Sequence, residues 1–454
     1  MNKETEIKLR VSRETLAALR EHPLLKKRNK TGWVRHELLN QYFDTPARDL
    51  AAAKVALRVR RDGEHFIQTL KTRGQSVAGL SERNEWDWPL TKAKLDIKQL
   101  SSECWPASLA ELDKKQLVPI FTTDFVREKA DIAWGRGKAK VVIEAALDLG
   151  KVVAGEGEEE ICELELELRE GDPAALLELA AELAADLALM PCDISKAERG
   201  YRLFDAASYS LSVPAPAVSA ESSLDDSVAA LAWHLLGSSQ RLAEQYRFNG
   251  HWRLLVEWLE QLVGLRALLG SLGQAAPRAS SHALRELLDA LLLEWRPRLQ
   301  AGQLDEQARK SAPAQFAAEL DATRWGLFSL SASRWLLTRS WTLERNNRGN
   351  RQGAAPLGNW LPTLITEEGE ALQLRRYLQQ PEDLAEQLPR IERLLVWLHL
   401  AREVLEVPEV DRLYGELNKL AELASQVIEP EVLEARKAQL LAVGSLKAWR
   451  QLVK

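Results

Sequence analysis

The stretch CELELEL, residues 162–168, alternates without interruption: Cys162, Leu164, Leu166 and Leu168 against Glu163, Glu165 and Glu167. Residue preference alone makes this a helix, because Glu and Leu are both good helix formers. On a helix, charge and Leu would share every face, whereas a strand sends successive side chains to opposite sides. The alternation therefore predicts a strand with one apolar and one acidic face. The same period runs through Thr5, Ile7, Leu9 and Val11 opposite Glu4, Glu6, Lys8 and Arg10. It returns where Leu57 and Val59 oppose Arg58 and Arg60, again over 66–71, and more loosely over 141–147. Two helices are expected between these strands. One covers 12–20 with Ser12 as N-cap, and one covers 172–188 with Pro173 in its first turn.

The charged faces pose a physical question. Same-side neighbours on a strand lie about 6.6 Å apart, so three carboxylates in a row repel unless water or cations intervene. A solvent-facing sheet is one answer, since antiparallel sheets often keep one wet face. A closed barrel is the other, with the acidic and basic faces lining one interior. Such an interior suits a divalent cation and phosphate together: carboxylates bind magnesium or manganese alongside substrate oxygens, and guanidinium and ammonium groups grip phosphate. Competing chemistry is missing from the sequence, which has no Gly-rich phosphate loop, no HExxH and no GxSxG. The seven histidines show no metal-ligand spacing.

The chain of 454 residues is long enough for two or three domains, and 46% hydrophobic with 28% charged residues marks an ordinary globular composition. A net charge of -5 sets up no global field for nucleic acid or a membrane surface, so a polyanion must be met by locally gathered cations. Cys104, Cys162 and Cys192 fit neither a disulfide framework nor a zinc spacing. No secretory signal and no membrane-spanning run is read, and a cytoplasmic location is expected. Small residues, Ser and two Pro fill 206–222, which reads as a linker between a domain at 1–205 and another at 223–454. Beyond it the period becomes 3.6, with amphipathic segments at 224–246, 252–269, 283–295, 314–341, 366–378, 383–407 and 432–453. The expected architecture is α+β: strands with flanking helices, then an all-α bundle whose Trp residues are mostly core.

The first half also resembles a known family. ETEIK (4–8) is similar to the opening motif of the CYTH superfamily, the triphosphate tunnel metalloenzymes. The likeness continues in order through NQYFDTPARDL (40–50), ALRVRR (56–61), QTLK (68–71), ERNEWDW (82–88), ALDLGKV (146–152), ELELEL (163–168) and SKAERGY (195–201). It implies an eight-stranded antiparallel barrel whose charged tunnel holds triphosphate and Mg2+ or Mn2+. Position by position, it implies Glu4, Glu6, Glu85, Glu163 and Glu165 as metal ligands. Lys8, Arg58, Arg60, Lys71, Arg127 and Lys196 would grip phosphate. Glu165 or Glu167 would orient a metal-bound water, with Lys196 beside it, while Arg73, Arg83, Glu144 and Asp148 would support the lumen.

The second half resembles the CHAD domain, a helical module often fused to CYTH domains and thought to bind polyphosphate. Its two comparable stretches, 256–269 and 388–405, carry few of that module's basic residues. Arg266 stands in the first, and Arg390, Arg393, His399 and Arg402 in the second. A scaffold or dimerisation role competes with polyphosphate binding there. Three functions are therefore in play. They are hydrolysis of inorganic triphosphate, adenylyl cyclisation or thiamine or nucleoside triphosphate hydrolysis on the same barrel, and non-enzymatic polyphosphate binding.

Overall fold

The period-two segments are strands, and they close on themselves. The computed structural model describes residues 2–453 apart from 73, 78, 79, 136, 138, 139, 207–210, 212–214 and 274. The strands are β1 (Asn2–Arg10), β2 (Val34–Asp44), β3 (Ala56–Asp62), β4 (His65–Lys71), β5 (Gln75–Val77), β6 (Leu80–Leu90), β7 (Val118–Trp134), β8 (Val141–Ala154), β9 (Gly157–Glu170) and β10 (Met190–Pro191). Eight of them form a closed antiparallel ring, β1-β9-β8-β7-β2-β3-β4-β6, sealed by pairing of β1 with β6; β5 and β10 are short additions. Closure answers the question of the charged faces: the barrel, with no open edge, replaces the wet sheet.

Register then fixes which side chains meet. Glu6 lies opposite Glu167 and Lys8 opposite Glu165 across β1 and β9. Arg58 faces Tyr42, and Arg60 faces Asn40, across β2 and β3. Outside the ring, Ile7, Leu9, Ile143, Leu164 and Leu166 pack beneath α1 (Arg13–Glu21), α2 (Pro23–Arg28) and α4 (Ala174–Ala184). Ser12 caps α1 by accepting from the Thr15 amide, as its type suggests. The helix read over 172–188 is shorter, since α4 stops at Ala184. On the other flank the segment 95–117 covers Leu57, Val59 and Leu70.

One end of the ring is covered by α5 (Lys196–Phe204), which follows the short α3 (Asp49–Ala52) and α4 in the chain. Its Ala197, Tyr201 and Leu203 pack on Tyr42, Phe121 and Ile161. Phe121 stacks on Tyr42 at 4.6 Å and meets Tyr201 edge-on at 5.1 Å. Gly200 permits this approach, because a Cβ there would lie 2.2 Å from the Phe121 ring.

The chain divides into two compact units. The first comprises 1–212 together with 240–251 and 310–334, so two pieces of the helical half belong with the barrel. The first piece is the end of α6 (Leu224–Asn249), and the second carries Gly326, whose missing Cβ leaves room for the Leu189 carbonyl oxygen at 2.0 Å. The second unit, 213–239, 252–309 and 335–454, is helical. Its core includes fully buried Trp258, Trp295, Trp341 and Trp397, with Trp258 edge-on to Trp295 at 5.5 Å. The expected helix over 314–341 is two helices, Glu306–Leu320 and Thr323–Leu337. The helix Val410–Ser425 was not among the expected segments. The expected linker falls partly on residues outside those described. No helix among the described residues is long and apolar enough to cross a membrane.

Candidate functional site

Strand alternation sends residues 4, 6 and 8 of β1 inward with 165 and 167 of β9, 58 and 60 of β3, 69 and 71 of β4, 85 and 87 of β6, and 127 and 129 of β7. They line a cavity of about 260 Å³ inside the ring, to which α5 contributes Lys196. Since one ordered water needs only about 10–15 Å³ on this measure, the space admits a polyanion with several waters. Carboxylates predominate on β1, β8 and β9, with Glu4, Glu6, Glu144, Glu165 and Glu167, although Lys8 and Arg169 stand among them. Cations predominate on β3, β4 and β7, with Arg58, Arg60, Lys71, Arg127 and Lys129 beside Asp62, and β6 adds Arg83, Glu85 and Asp87.

The cationic wall is only partly neutralised. Lys71 pairs with Glu4 and, at 3.3 Å, with Glu85, while Arg58 stands 3.9 Å from Glu85. Arg60 donates to Asn40 at 2.7 Å and pairs with no carboxylate among the described residues. Burial, then the neighbouring Arg58 and Arg127, push its guanidinium down to about 9. Tyr42 reports the same field: burial would raise its phenol, yet Arg58, Arg60 and Lys196 hold it below its ordinary value. Arg60, half-buried beside two other guanidinium groups, is the cation that an anion in the lumen would stabilise most.

The acidic wall has two parts. Deep in it, Asp148, Glu163 and Glu165 can bring carboxylate oxygens within 4.8 Å of one another. The Lys196 ammonium stands among them, 2.8 Å from Asp148 and 2.9 Å from Glu165, and paired with Glu163. Arg127 forks onto Asp148 at 2.7 and 2.6 Å and also bonds Glu165. Burial opposes ionisation of Glu165, but Lys196, Arg127 and Lys8 hold its carboxyl well below the usual range. This trio is therefore already balanced by cations. Nearer the lumen, Glu167 lies beside Glu6 and Glu144 and bonds Arg169 at 2.6 Å. Burial pushes its carboxyl up; Arg169 opposes this, and Glu4, Glu144 and Glu6 add to it, leaving it at about 7. Crowded carboxylates of that kind fit a hard divalent cation, which would relieve their repulsion.

Of the residues singled out in the sequence, the cavity gathers Glu4, Glu6, Lys8, Arg58, Arg60, Lys71, Arg83, Glu85, Arg127, Glu144, Glu165, Glu167 and Lys196. Glu163 and Asp148 lie behind that wall, 1% and 0% exposed, and do not line the cavity. Arg73 lies outside the described residues. Lys129 and Arg169 also line the cavity and are not among the residues singled out in the sequence, although each lies two positions beyond one that is, Arg127 and Glu167. Nor is His36, which meets Asp62 at 3.0 Å in the cavity wall.

Over 174 residues the chain is 36% identical to a protein of Haemophilus influenzae named inorganic triphosphatase, a match covering 36% of this chain and 45% of that one. The chain thus spans under half the length of this relative. Among solved structures, a Hippeastrum protein described as a candidate adenylyl cyclase with a dominant triphosphatase activity is 23% identical. That match covers 40% of this chain and 87% of the other, with a TM-score of 0.30. A candidate adenylate cyclase from Bacillus halodurans is also 23% identical, covering 40% and 92%, with a TM-score of 0.25. The family model of the CYTH domain matches residues 2–201, the stretch that builds the ring and brings Lys196 to it.

Proposed function

We propose that the barrel hydrolyses inorganic triphosphate to pyrophosphate and phosphate with the help of Mg2+ or Mn2+. The observation that carries this reading is the charged lumen: inward-facing basic groups, Arg60 among them without a carboxylate partner among the described residues, beside carboxylates crowded around Glu167. Arg58, Arg60, Lys71 and Arg127 are the groups that would grip phosphate oxygens, with Lys8 and Lys196 toward the acidic side. Phosphoryl transfer asks mainly for positioning and charge neutralisation, which fixed guanidinium groups provide.

Glu4, Glu6 and Glu165 are the residues that would hold the cation, with Glu85, which shares the Lys71 ammonium with Glu4, beside them. A divalent cation in such a site supplies charge neutralisation and makes a bound water more acidic. Glu163 we assign to holding Lys196 in place, given its burial and its partners Lys196 and Arg199. Glu167 is the better of the two candidate bases for the attacking water, because it faces the lumen while Glu165 is held by Lys196, Arg127 and Lys8. The water attacks a terminal phosphorus, the bridging oxygen leaves with pyrophosphate, and the water's proton passes to Glu167.

The helical unit is compatible with a CHAD-like module, but its polyphosphate face is partly cancelled. Arg390 and Arg393 both bond Glu368, at 2.9 and 2.7 Å, and His399 stacks on Tyr414.

The test is phosphate release from inorganic triphosphate, ATP and thiamine triphosphate, with magnesium or manganese, on the wild type and on Glu6→Ala. Triphosphate should be the preferred substrate, and Glu6→Ala should lose about 100-fold or more in kcat, as removal of a charge-stabilising group in a site commonly does. Equal activity in the two proteins would sink the tunnel assignment. Cyclic AMP formed from ATP would replace the hydrolase reading with a cyclase.

A further inference from the structure

A second cluster of buried charge lies behind the lumen, and part of it comes from beyond the CYTH match. Glu244, on α6, is 0% exposed. It accepts from Arg10 Nε at 2.9 Å, at the end of the strand that carries Glu4, Glu6 and Lys8, and stands 3.7 Å from Arg202 on α5. Arg10, Arg199 and Arg202 also converge on Glu159, at 3.1, 2.7 and 2.8 Å. All three arginines are buried, so the cluster without Glu244 would set three guanidinium groups chiefly against Glu159. The neighbouring Glu163 is already shared with Lys196.

The grip on α5 is periodic. Arg241 bonds Glu198, Gln245 accepts from Arg202 at 3.1 Å, and Phe248 lies under the Arg202 guanidinium at 3.8 Å. Positions 241, 244, 245 and 248 share one face of α6, and 198 and 202 share one face of α5. Between these two positions on α5, Arg199 lies 3.6 Å from Glu163, and Glu163 pairs with the Lys196 ammonium at the start of the helix.

We propose that Glu244 is a positioning residue for the tunnel: by balancing Arg10 and Arg202 it seats α5 and so keeps Lys196 among Asp148, Glu163 and Glu165. Its effect on turnover rests on the triphosphatase reading, whereas its effect on Lys196 does not. A buried guanidinium left without its carboxylate must find water, and the simplest route is for α5 to lift from the barrel end.

The experiment uses the full chain as wild type, Glu244→Gln and the milder Glu244→Asp. The rate at which an amine-acylating reagent modifies Lys196 is followed by mass spectrometry below the unfolding temperature, with exposed Lys151 as reference. In the wild type Lys196 is buried and ion-paired, so it reacts slowly. Glu244→Gln should speed acylation of Lys196 by about 10-fold or more relative to Lys151, and Glu244→Asp should restore most of the protection. Triphosphate turnover should fall through a higher KM and a lower kcat together. Unchanged Lys196 reactivity in Glu244→Gln would overturn the proposal. So would a rise shared equally by lysines all over the barrel, because Glu244 would then be holding the fold and not the site. Since acylation is read without substrate, a wild type that leaves triphosphate intact would refute the hydrolysis reading alone, and the Lys196 rates would still decide this one.

Discussion

Glu167→Gln in metal-free protein tests the crowding of the acidic wall directly. In the folded chain the Glu167 carboxyl stands at about 7, first through burial and then through Glu4, Glu144 and Glu6, against an ordinary value of 4.5. Between those values the folded state holds a proton that the unfolded state has released. Stability therefore falls as pH rises from about 4.5 to 7, and the cost is complete above that. A shift of this size corresponds to roughly 3 kcal/mol. With 22% of the side chain exposed to lumen water, about 2 kcal/mol is the expected effect after screening. Gln is neutral, nearly the same shape, and keeps an oxygen for the Arg169 bond. At pH 8 the variant should therefore be about 2 kcal/mol more stable than the wild type, and at pH 4.5 nearly equal to it. The assay is urea unfolding followed by Trp fluorescence at a series of pH values, with chelator present throughout. A difference that stays constant from pH 4.5 to 8, or a variant less stable at pH 8, would refute the reasoning. Added manganese should narrow the gap at pH 8, because it stabilises only the carboxylate form.

Two other substitutions probe the helical segments. Gly326→Ala places a Cβ 2.0 Å from the Leu189 carbonyl oxygen and should cost about 1–3 kcal/mol, read as a Tm lowered by several degrees; an unchanged Tm would show that this contact is not tight. Glu368→Gln frees Arg390 and Arg393 and should increase retention on immobilised polyphosphate several-fold at low salt, the gain fading as salt rises. Retention equal to the wild type's would mean that this face does not meet polyphosphate.

Much of the barrel was legible because period two survives any local preference. The segment 162–168 is rich in helix formers and still becomes β9, since only a strand can put its Leu residues under α4 and its Glu residues toward the lumen side. Residues carried by that alternation, such as Glu4, Arg58 and Glu165, reach one cavity as expected. Depth along a strand is less legible. Glu163 and Glu165 look alike in sequence, but only Glu165 lines the cavity, because α5 covers the end where Glu163 lies. Proline is a poor guide to the ends in the helical half: the expected segments 283–295 and 314–341 stop short of Pro297 and start after Pro313, yet both residues sit inside helices. Loss of one backbone bond is outweighed there, since Trp295 and Leu299 on either side of Pro297 are buried. The helix Val410–Ser425, outside the expected segments, carries its signal openly in Leu413, Leu417, Leu420 and Ala424. Glu244 gave no signal, because nothing local links it to Arg10, 234 positions earlier.

Closure by β1 has a consequence for how the chain is made. β1 must pair with β9, whose residues follow it by more than 150 positions. At about 5–20 residues per second, synthesis leaves β1 without that partner for something like 8–30 seconds. During that interval an apolar row of Ile7 and Leu9 and an unpaired strand edge are exposed together, and Glu244 emerges later still. The barrel is thus assembled from its most distant parts last, a slow route by the general relation between contact separation and rate. Variants that weaken the β1–β9 seam should therefore reveal themselves as poor yield before they reveal themselves as poor catalysis.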